Sequence, residues 1–188
     1  MSNASNVTAG KPVIEGAIYW APLGTTLPTS STGSLNAAFK ELGYVSDAGL
    51  VNSNSPSNTA IKAWGGDTVL DVQTEKPDTF KFKLIEAINE QVAKFVYGPE
   101  NVTGSTGTEL TITANSKEQP AMCMVIDMLL RDGGAKRIVI PNGKVTAVGD
   151  ISYVDNDATG YETTVSCYPD SNGNTHYEYV KKGTTPTF

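Results

Sequence analysis

The sequence predicts a mainly β protein with one α-helix, and three observations support this fold class. First, the chain has 188 residues, of which 22 Thr, 14 Ser and 13 Asn together outnumber the 14 basic and 20 acidic residues. Thr favours strands, whereas Ser and Asn favour turns. Second, short segments of alternating apolar and polar residues recur between clusters of Gly, Pro and Asn. Third, a single segment has the apolar spacing of an amphipathic helix.

The composition also excludes several classes of protein. A chain of this length is expected to form one domain. The longest strongly apolar run, 121–126, ends at Asp127 and is far shorter than the ~20 residues of a membrane helix. The first residues lack a basic and an apolar region, so we expect no signal peptide. A net charge of −6 argues against a sequence-reading nucleic-acid protein, which usually has a basic face.

Two hairpins are predicted from local pattern. Segments 67–75 and 79–85 flank Lys76-Pro77-Asp78, and in the second Phe80, Phe82 and Leu84 share one face. Asn142-Gly143 predicts a tight turn between strands 136–140 and 144–148. Further strands are predicted at 17–21, 109–115, 120–131, 151–154, 161–168 and 175–181.

The helix is predicted over 86–97, where Ile88, Val92, Phe95 and Val96 form one apolar stripe before Gly98-Pro99. One or two helical turns are also expected within 34–43. Segment 43–66 has little charge and many Ser and Asn residues, and it is predicted to be a long loop. We therefore expect a flexible N-terminal arm at 1–13, one domain at 14–182 and a C-terminal tail at 183–188.

Strand 122–130 is apolar on both faces except at Asp127. A strand in a small antiparallel sheet normally has one wet face, so this strand needs a second cover. The helix at 86–97 or another subunit could provide it, and the residues alone leave both possibilities open.

Each candidate catalytic or metal-binding motif in the sequence lacks a residue or an environment that its chemistry requires. Asp155-x-Asp157-x-Thr159-Gly160 resembles the start of a calcium loop, but Ser166 stands where the bidentate Glu is required. Phosphate-binding and serine-hydrolase motifs are absent. Cys123 lies in an apolar strand and His176 on a predicted strand surface, so we do not expect a nucleophile and base. We predict no enzyme and no cofactor, and pairing of Cys123 with Cys167 stays open.

The order of several segments resembles the major tail (tail tube) proteins of long-tailed bacteriophages, particularly those of Gram-positive and actinobacterial hosts. The segments are GAIYWAPLGTTLP at 16–28, LNAAFKELGYVS at 35–46, IKAWGGD at 61–67, TFKFKLIE at 79–86, KRIVIP at 136–141 and GYETTV at 160–165. The resemblance extends from about residue 14 to residue 181.

The resemblance implies an antiparallel β-sandwich or split barrel with one flanking α-helix, the tail-tube fold. It implies a structural virion protein, made in the host cytoplasm, whose hexameric rings stack head to tail into a conduit for DNA ejection. The implied partners are other copies of the chain, tail-initiation and terminator proteins, a tape-measure protein in the lumen and DNA in transient passage, with no membrane.

Two sets of site residues follow as hypotheses. A lysine-lined lumen would hold DNA through its phosphates, so acidic side chains are expected to face the lumen. The lumen set is Asp67, Asp71, Glu75, Asp150, Asp155, Asp157 and Glu162. The low-charge segment is expected to form the contact between rings. The stacking set is Asp47, Leu50, Val51, Asn54, Pro56, Asn58 and Trp64.

Two alternative functions are considered. One is a tube protein of a secretion or contractile injection system with the same fold. The other is a non-tubular carbohydrate-binding or adhesin-like β-sandwich, for which Trp20 and Trp64 would be the candidate aromatic platform, although core or interface positions suit both better.

Overall fold

Antiparallel strands are the main regular structure of the computed structural model, with 46% of residues in strands. The structure describes residues 2–13, 16–131 and 133–183. These residues include one α-helix, α1, at Glu90–Tyr97, and short 3-10 helices at Ala4–Asn6 and Pro99–Asn101. The strands are β1 Gly10–Pro12, β2 Ile18–Pro22, β3 Lys40–Glu41, β4 Val45–Asn54, β5 Ser57–Lys62, β6 Thr68–Glu75, β7 Asp78–Leu84, β8 Val102–Gly104, β9 Leu110–Ile112, β10 Met122–Leu130, β11 Ala135–Val148, β12 Tyr161–Cys167 and β13 Tyr177–Lys181. The predicted fold class, an antiparallel β-sandwich with one helix, is confirmed.

The main sheet has the strand order β3-β2-β10-β11-β12-β7-β4, with β1 added to β10 and β13 added to β11. The 14-residue strand β11 joins its two halves. β13 pairs with the first part of β11, from Ala135 to Val139, and β12 pairs with its last part, from Gly143 to Val148. The sheet does not close into a barrel. Two small two-stranded sheets, β5-β6 and β8-β9, lie outside it.

Helix α1 packs into the main core. Val92, Phe95 and Val96 are buried there with apolar side chains of β7, β10, β11 and β12. The helix starts at Glu90 rather than at residue 86, because the side chain of Asn89 caps it by accepting a hydrogen bond from the Gln91 amide at 2.8 Å. Ile88 therefore lies before the helix and is 78% exposed, so it does not belong to the predicted stripe.

The predicted hairpin of 67–75 with 79–85 is wrong, although both segments are strands. β6 pairs with β5, and β7 pairs with β4 and β12. The two strands continue one another across Lys76-Pro77, so they form one side of a single long hairpin whose other side is β4 followed by β5. The turn of that hairpin lies at 63–67. Proline has no backbone N–H to donate, which favours the interruption at Pro77.

The predicted turn at Asn142-Gly143 is also wrong, because β11 runs through both residues. A Cβ at Gly143 would lie 3.2 Å from side-chain atoms of both Ile140 and Val165. The glycine therefore permits close packing of neighbouring strands rather than a reversal of the chain.

Three further local predictions fail. The segment 34–43 contains no helix; a turn in which the Phe39 amide donates to the Asn36 carbonyl precedes β3. Residues 151–154 form no strand. The segment 43–66, predicted as a long loop, is mostly strand because it contains β4 and β5. Its polar composition reflects exposure on both faces, not absence of secondary structure.

Strand β10 is covered on both faces within one chain. Met122, Met124 and Ile126 join the main core with α1, as one of the two alternatives anticipated. Cys123 and Val125 join a second cluster that includes Phe39 and partly buried side chains of 22–39. This face therefore does not require another subunit as its cover.

A buried ion pair holds the 22–39 connection against β10 and β11. Arg137, 5% exposed, pairs with Asp127 through Nε–Oδ1 and Nη2–Oδ2 at 2.6 and 2.8 Å. Its Nη1 also donates to the carbonyls of Ser30 and Gly33 at 3.1 and 2.6 Å. The charged interruption of the apolar strand at Asp127 is thus explained by a partner on β11.

Cys123 and Cys167 are free, buried thiols. Burial raises the pKa of both, that of Cys167 to about 12, so neither is poised as a thiolate nucleophile. Within the described ranges, no helix has the length and apolarity that a membrane span requires. The same residues contain no group of three or more His, Cys, Asp and Glu side chains suited to a metal ion.

Candidate functional site

The outer half of the long hairpin, which we call the arm (residues 57–75), projects from the sheet as a two-stranded ribbon of β5 and β6. Every residue from 51 to 77 is exposed. An isolated two-stranded ribbon is at best marginally stable in water and normally needs a third strand or a packed face. The arm therefore has the properties of an element completed by contact with another molecule.

The tip of the arm presents a tryptophan. The Ala63 amide donates to the Asp67 carbonyl at 2.8 Å, and the Gly66 amide donates to the Ala63 carbonyl at 3.0 Å. Gly65 and Gly66 have φ values of +117° and +101°, which side-chain-bearing residues rarely adopt. Trp64, at this turn, is fully exposed, with a relative exposure of 106%. A tryptophan is usually largely buried, so this position points to an interaction surface.

The register of the ribbon separates its side chains into two faces. Ile61 pairs with Leu70 and Thr59 pairs with Val72, which places them on one side, the apolar face. Ala60 pairs with Asp71, and Asn58 pairs with Gln73, on the opposite side, the polar face. On the polar face the Asn58 Nδ2 donates to the Asp71 Oδ2 at 3.0 Å. The arm is thus an amphipathic ribbon whose apolar face has no cover within the described part of the chain.

A buried carboxylate anchors the base of the arm. Asp78, the first residue of β7, is 3% exposed. It accepts hydrogen bonds from Asn52 Nδ2 at 2.9 Å and Thr175 Oγ1 at 2.6 Å, and His176 Nδ1 lies 2.5 Å away. Burial alone would raise the pKa of Asp78, but hydrogen bonds from Thr175, Asn52 and His176 lower it below its ordinary value. The arm base is therefore tied to the segment that precedes β13.

The outward side of β7 and β12 forms a second exposed surface, the polar sheet face, made by Lys81, Lys83, Glu162, Thr164 and Ser166. Lys81 pairs with Glu162 at 2.7 Å, and Lys83 lies 3.7 Å from Asp157. The hydroxyls of Thr146 and Ser166 are 2.8 Å apart on the same side. This face combines hydroxyl groups with lysines that each have an acidic neighbour.

A family model described as phage tail tube protein matches residues 2–188, almost the whole chain. The chain belongs to the phage tail tube protein family. A search of curated proteins finds no significant match. The resemblance inferred from segment order is confirmed, and this tail tube protein is a structural component of the virion tail.

The lumen set of this tail tube protein does not form one cluster, although all seven side chains are exposed. Asp71 and Glu75 both lie on β6, but a register shift between them places them on opposite faces, and Asp67 lies at the arm tip. Asp150, Asp155 and Asp157 belong to the connection between β11 and β12. Only Asp157 and Glu162 meet the lysines of the polar sheet face. Which of these residues face a lumen stays a prediction.

The stacking set divides between the arm and the strand that leads to it. Asn54, Pro56, Asn58 and Trp64 lie on the arm or at its base, and all are exposed. Asp47, Leu50 and Val51 lie on β4, where Leu50 packs partly against the main core and Val51 is 58% exposed. Their role in stacking stays a prediction.

The sequence reasoning missed the β6 half of the apolar face, Leu70 and Val72. Both residues alternate with Asp71 in the sequence, but the predicted hairpin paired this segment with β7, whereas in the structure it pairs with β5.

Proposed function

We propose that this tail tube protein forms hexameric rings that stack head to tail into the tail tube, the conduit through which DNA is ejected. The observation that supports it best is the exposed amphipathic arm with Trp64 at its tip, in a member of this family. An arm that contacts a different patch on a neighbour makes a heterologous contact, which generates rings or open repeats.

The arm is our candidate for the contact between rings. Its apolar side chains Ile61, Leu70 and Val72 are 50%, 53% and 41% exposed in the single chain. Burial against a neighbouring copy would remove this surface from water and would supply the packed face that a two-stranded ribbon lacks.

The polar face of the arm and the polar sheet face are our candidates for the lumen wall. Asp71 lies on the polar face of the arm, opposite Leu70 and Val72, so it can face the channel while the apolar face contacts the next ring. On the polar sheet face, Glu162 and Asp157 offset Lys81 and Lys83. Such a wall would not bind the phosphates of passing DNA strongly.

The proposed partners are further copies of the chain, tail-initiation and terminator proteins at the tube ends, a tape-measure protein in the lumen and DNA in transit. Synthesis in the host cytoplasm belongs to the same proposal. A Gram-positive or actinobacterial host stays a prediction.

Two alternatives can be distinguished. A tube of a secretion or contractile injection system would use the same rings and the same arm. An adhesin-like binding module would bind its ligand as a monomer through Trp64; Trp20 is 7% exposed and does not contribute a second ring to such a platform.

Negative-stain electron microscopy over a range of protein concentrations tests the proposal. The wild-type chain should form rings or tubes. A variant in which a short Gly-Ser linker replaces 57–75 should still unfold cooperatively on heating but form no tubes. This replacement is better than deletion of 47–60, because β4 pairs with β7 in the main sheet.

Particles that stay monomeric at every concentration, also after addition of tail-initiation proteins, would contradict the tube proposal. Tubes formed by the armless variant would contradict the role of the arm.

A further inference from the structure

The two ends of the main sheet meet at an open seam that contains a slot. β4 is the last strand at one end, and β1 with β10 lies across from it, without hydrogen bonds between the two in the described sheet pairing. The slot has a volume of about 490 Å³. That falls within the range of ~300–1,000 Å³ typical of pockets that hold ligands, and a large aromatic side chain fits such a space.

The floor of the slot is apolar, and an acidic residue lies on its β4 wall. Ala17, Ile18, Val45, Leu50, Ile126 and Met128 contribute the apolar lining. The acidic residue is Asp47.

A bulge in β4 shapes the second wall. Val45 pairs with Leu84 and Leu50 pairs with Phe82, so the residues 46–49 bulge away from β7. Within the bulge, the Oγ of Ser46 is buried and has no hydrogen-bond partner among the described residues. A buried hydroxyl without a partner is costly, so an incoming hydrogen-bond donor would be favoured there.

The arm tip has complementary chemistry. Its centre is Trp64, an apolar ring with an indole N–H that can only donate. Lys62 and Asp67 flank it on the two sides of the turn. With the ring in the slot, Lys62 can face Asp47.

Tip and slot also lie at opposite ends of the same long hairpin. Its first cross-strand pair is Val45 with Leu84, beside the slot, and its last is Lys62 with Thr68, beside the tip. This separation favours a contact between copies over one within a copy, and a tip-to-slot contact between copies is heterologous, the type that generates rings or open repeats.

We infer that the arm tip of one copy, centred on Trp64, inserts into the seam slot of a second copy in the neighbouring ring. This inference rests on the proposed function and identifies the receiving surface that the arm needs.

Disulfide trapping tests the contact in the full chain. Ala63→Cys at the tip combined with Asp47→Cys at the slot rim should give, under mild oxidation of assembled tubes, a ladder of covalent multimers on a non-reducing gel. Mixing the two single variants should give dimers only. Ala63→Cys with Val180→Cys, an exposed position on β13, is the matched control and should stay monomeric.

Charge exchange tests the proposed pairing. Lys62→Glu and Asp47→Lys should each raise the protein concentration required for tubes at least about tenfold, since each contact repeats around the ring. The combined variant should return to within about threefold of the wild type, because the swapped charges attract again. Lys117→Glu, an exposed control with the same charge change, should leave this concentration unchanged.

Tubes that form without the tip–slot ladder, or a combined variant no better than the single ones, would overturn this inference and leave the arm's role in stacking intact. A wild-type chain that never forms tubes would overturn the proposed function and this inference together.

Discussion

At the scale of single residues, Asp78 links arm and sheet. It receives hydrogen bonds from β4 and from the segment before β13, and it is almost completely buried. Removing a charged acceptor from such a site leaves donors without partners, at a cost of about 1–3 kcal/mol.

Asp78→Asn should lower the free energy of unfolding by about 1–3 kcal/mol at pH 7. Because the pKa of Asp78 is lowered in the folded chain, the carboxylate stabilises the fold above pH 3.8, its unfolded value. This stabilisation is lost as the pH falls through the folded-state pKa, so the difference between wild type and variant should shrink there. Urea unfolding at neutral and acidic pH measures it; a difference that does not change with pH would contradict the assignment.

Arg137→Met should lower the free energy of unfolding by about 3–5 kcal/mol, because it leaves the carboxylate of Asp127 buried without its cation. Adding Asp127→Asn to this variant should recover part of the loss. The exposed pair of Lys81 with Glu162 offers the control, since Lys81→Met should cost at most about 1 kcal/mol. Equal losses for Arg137→Met and Lys81→Met would show that burial does not set the value of these pairs.

At the scale of elements, the arm is where sequence and structure differ most. The alternation in 79–85 predicted β7 correctly because β7 is covered on one face only. Segment 43–66 has no such pattern, since β5 is exposed on both faces and its polar side chains carry no signal that distinguishes strand from loop. The partner of β6 could not be predicted either, because strand pairing depends on the whole sheet and not on adjacent residues.

Local chemistry accounts for the remaining differences. Asn142-Gly143 is typical of a turn, yet long-range pairing of β11 with β10 and β12 prevails over that preference. The apolar stripe located α1 but not its first residue. Glu86, the first residue of the predicted helix, instead accepts hydrogen bonds from the Tyr44 amide and from Asn89 Nδ2, both at 2.8 Å. The helix begins after Asn89, which caps it. The apolar face of the arm could not be predicted from the sequence, because it is defined by the register in which β5 pairs with β6.

Substitutions on the two faces of the arm should therefore behave differently. Leu70→Ser and Val72→Ser should raise the concentration needed for tubes and leave the melting temperature unchanged, because both side chains are exposed in the single chain. Gln73→Ser, on the polar face of the same strand, is the matched control. Light scattering against concentration follows assembly, and equal behaviour of the three variants would exclude the apolar face as the contact.

At the scale of the whole molecule, the chain combines a covered core with an arm and a seam that have no cover of their own. Both faces of β10 are covered inside the chain, so the body does not depend on a neighbour for its core. The arm and the open seam at the sheet ends are the unsatisfied surfaces, and they lie at opposite ends of one hairpin. This asymmetry suits a subunit that repeats along an axis.

Cryo-electron microscopy of tubes assembled from the wild-type chain tests the central claim most directly. We expect stacked hexameric rings in which the arm, residues 57–75, crosses from each ring to the next and buries Trp64 against the neighbour. Tubes in which the arms remain exposed to solvent or contact only subunits of their own ring would contradict the account.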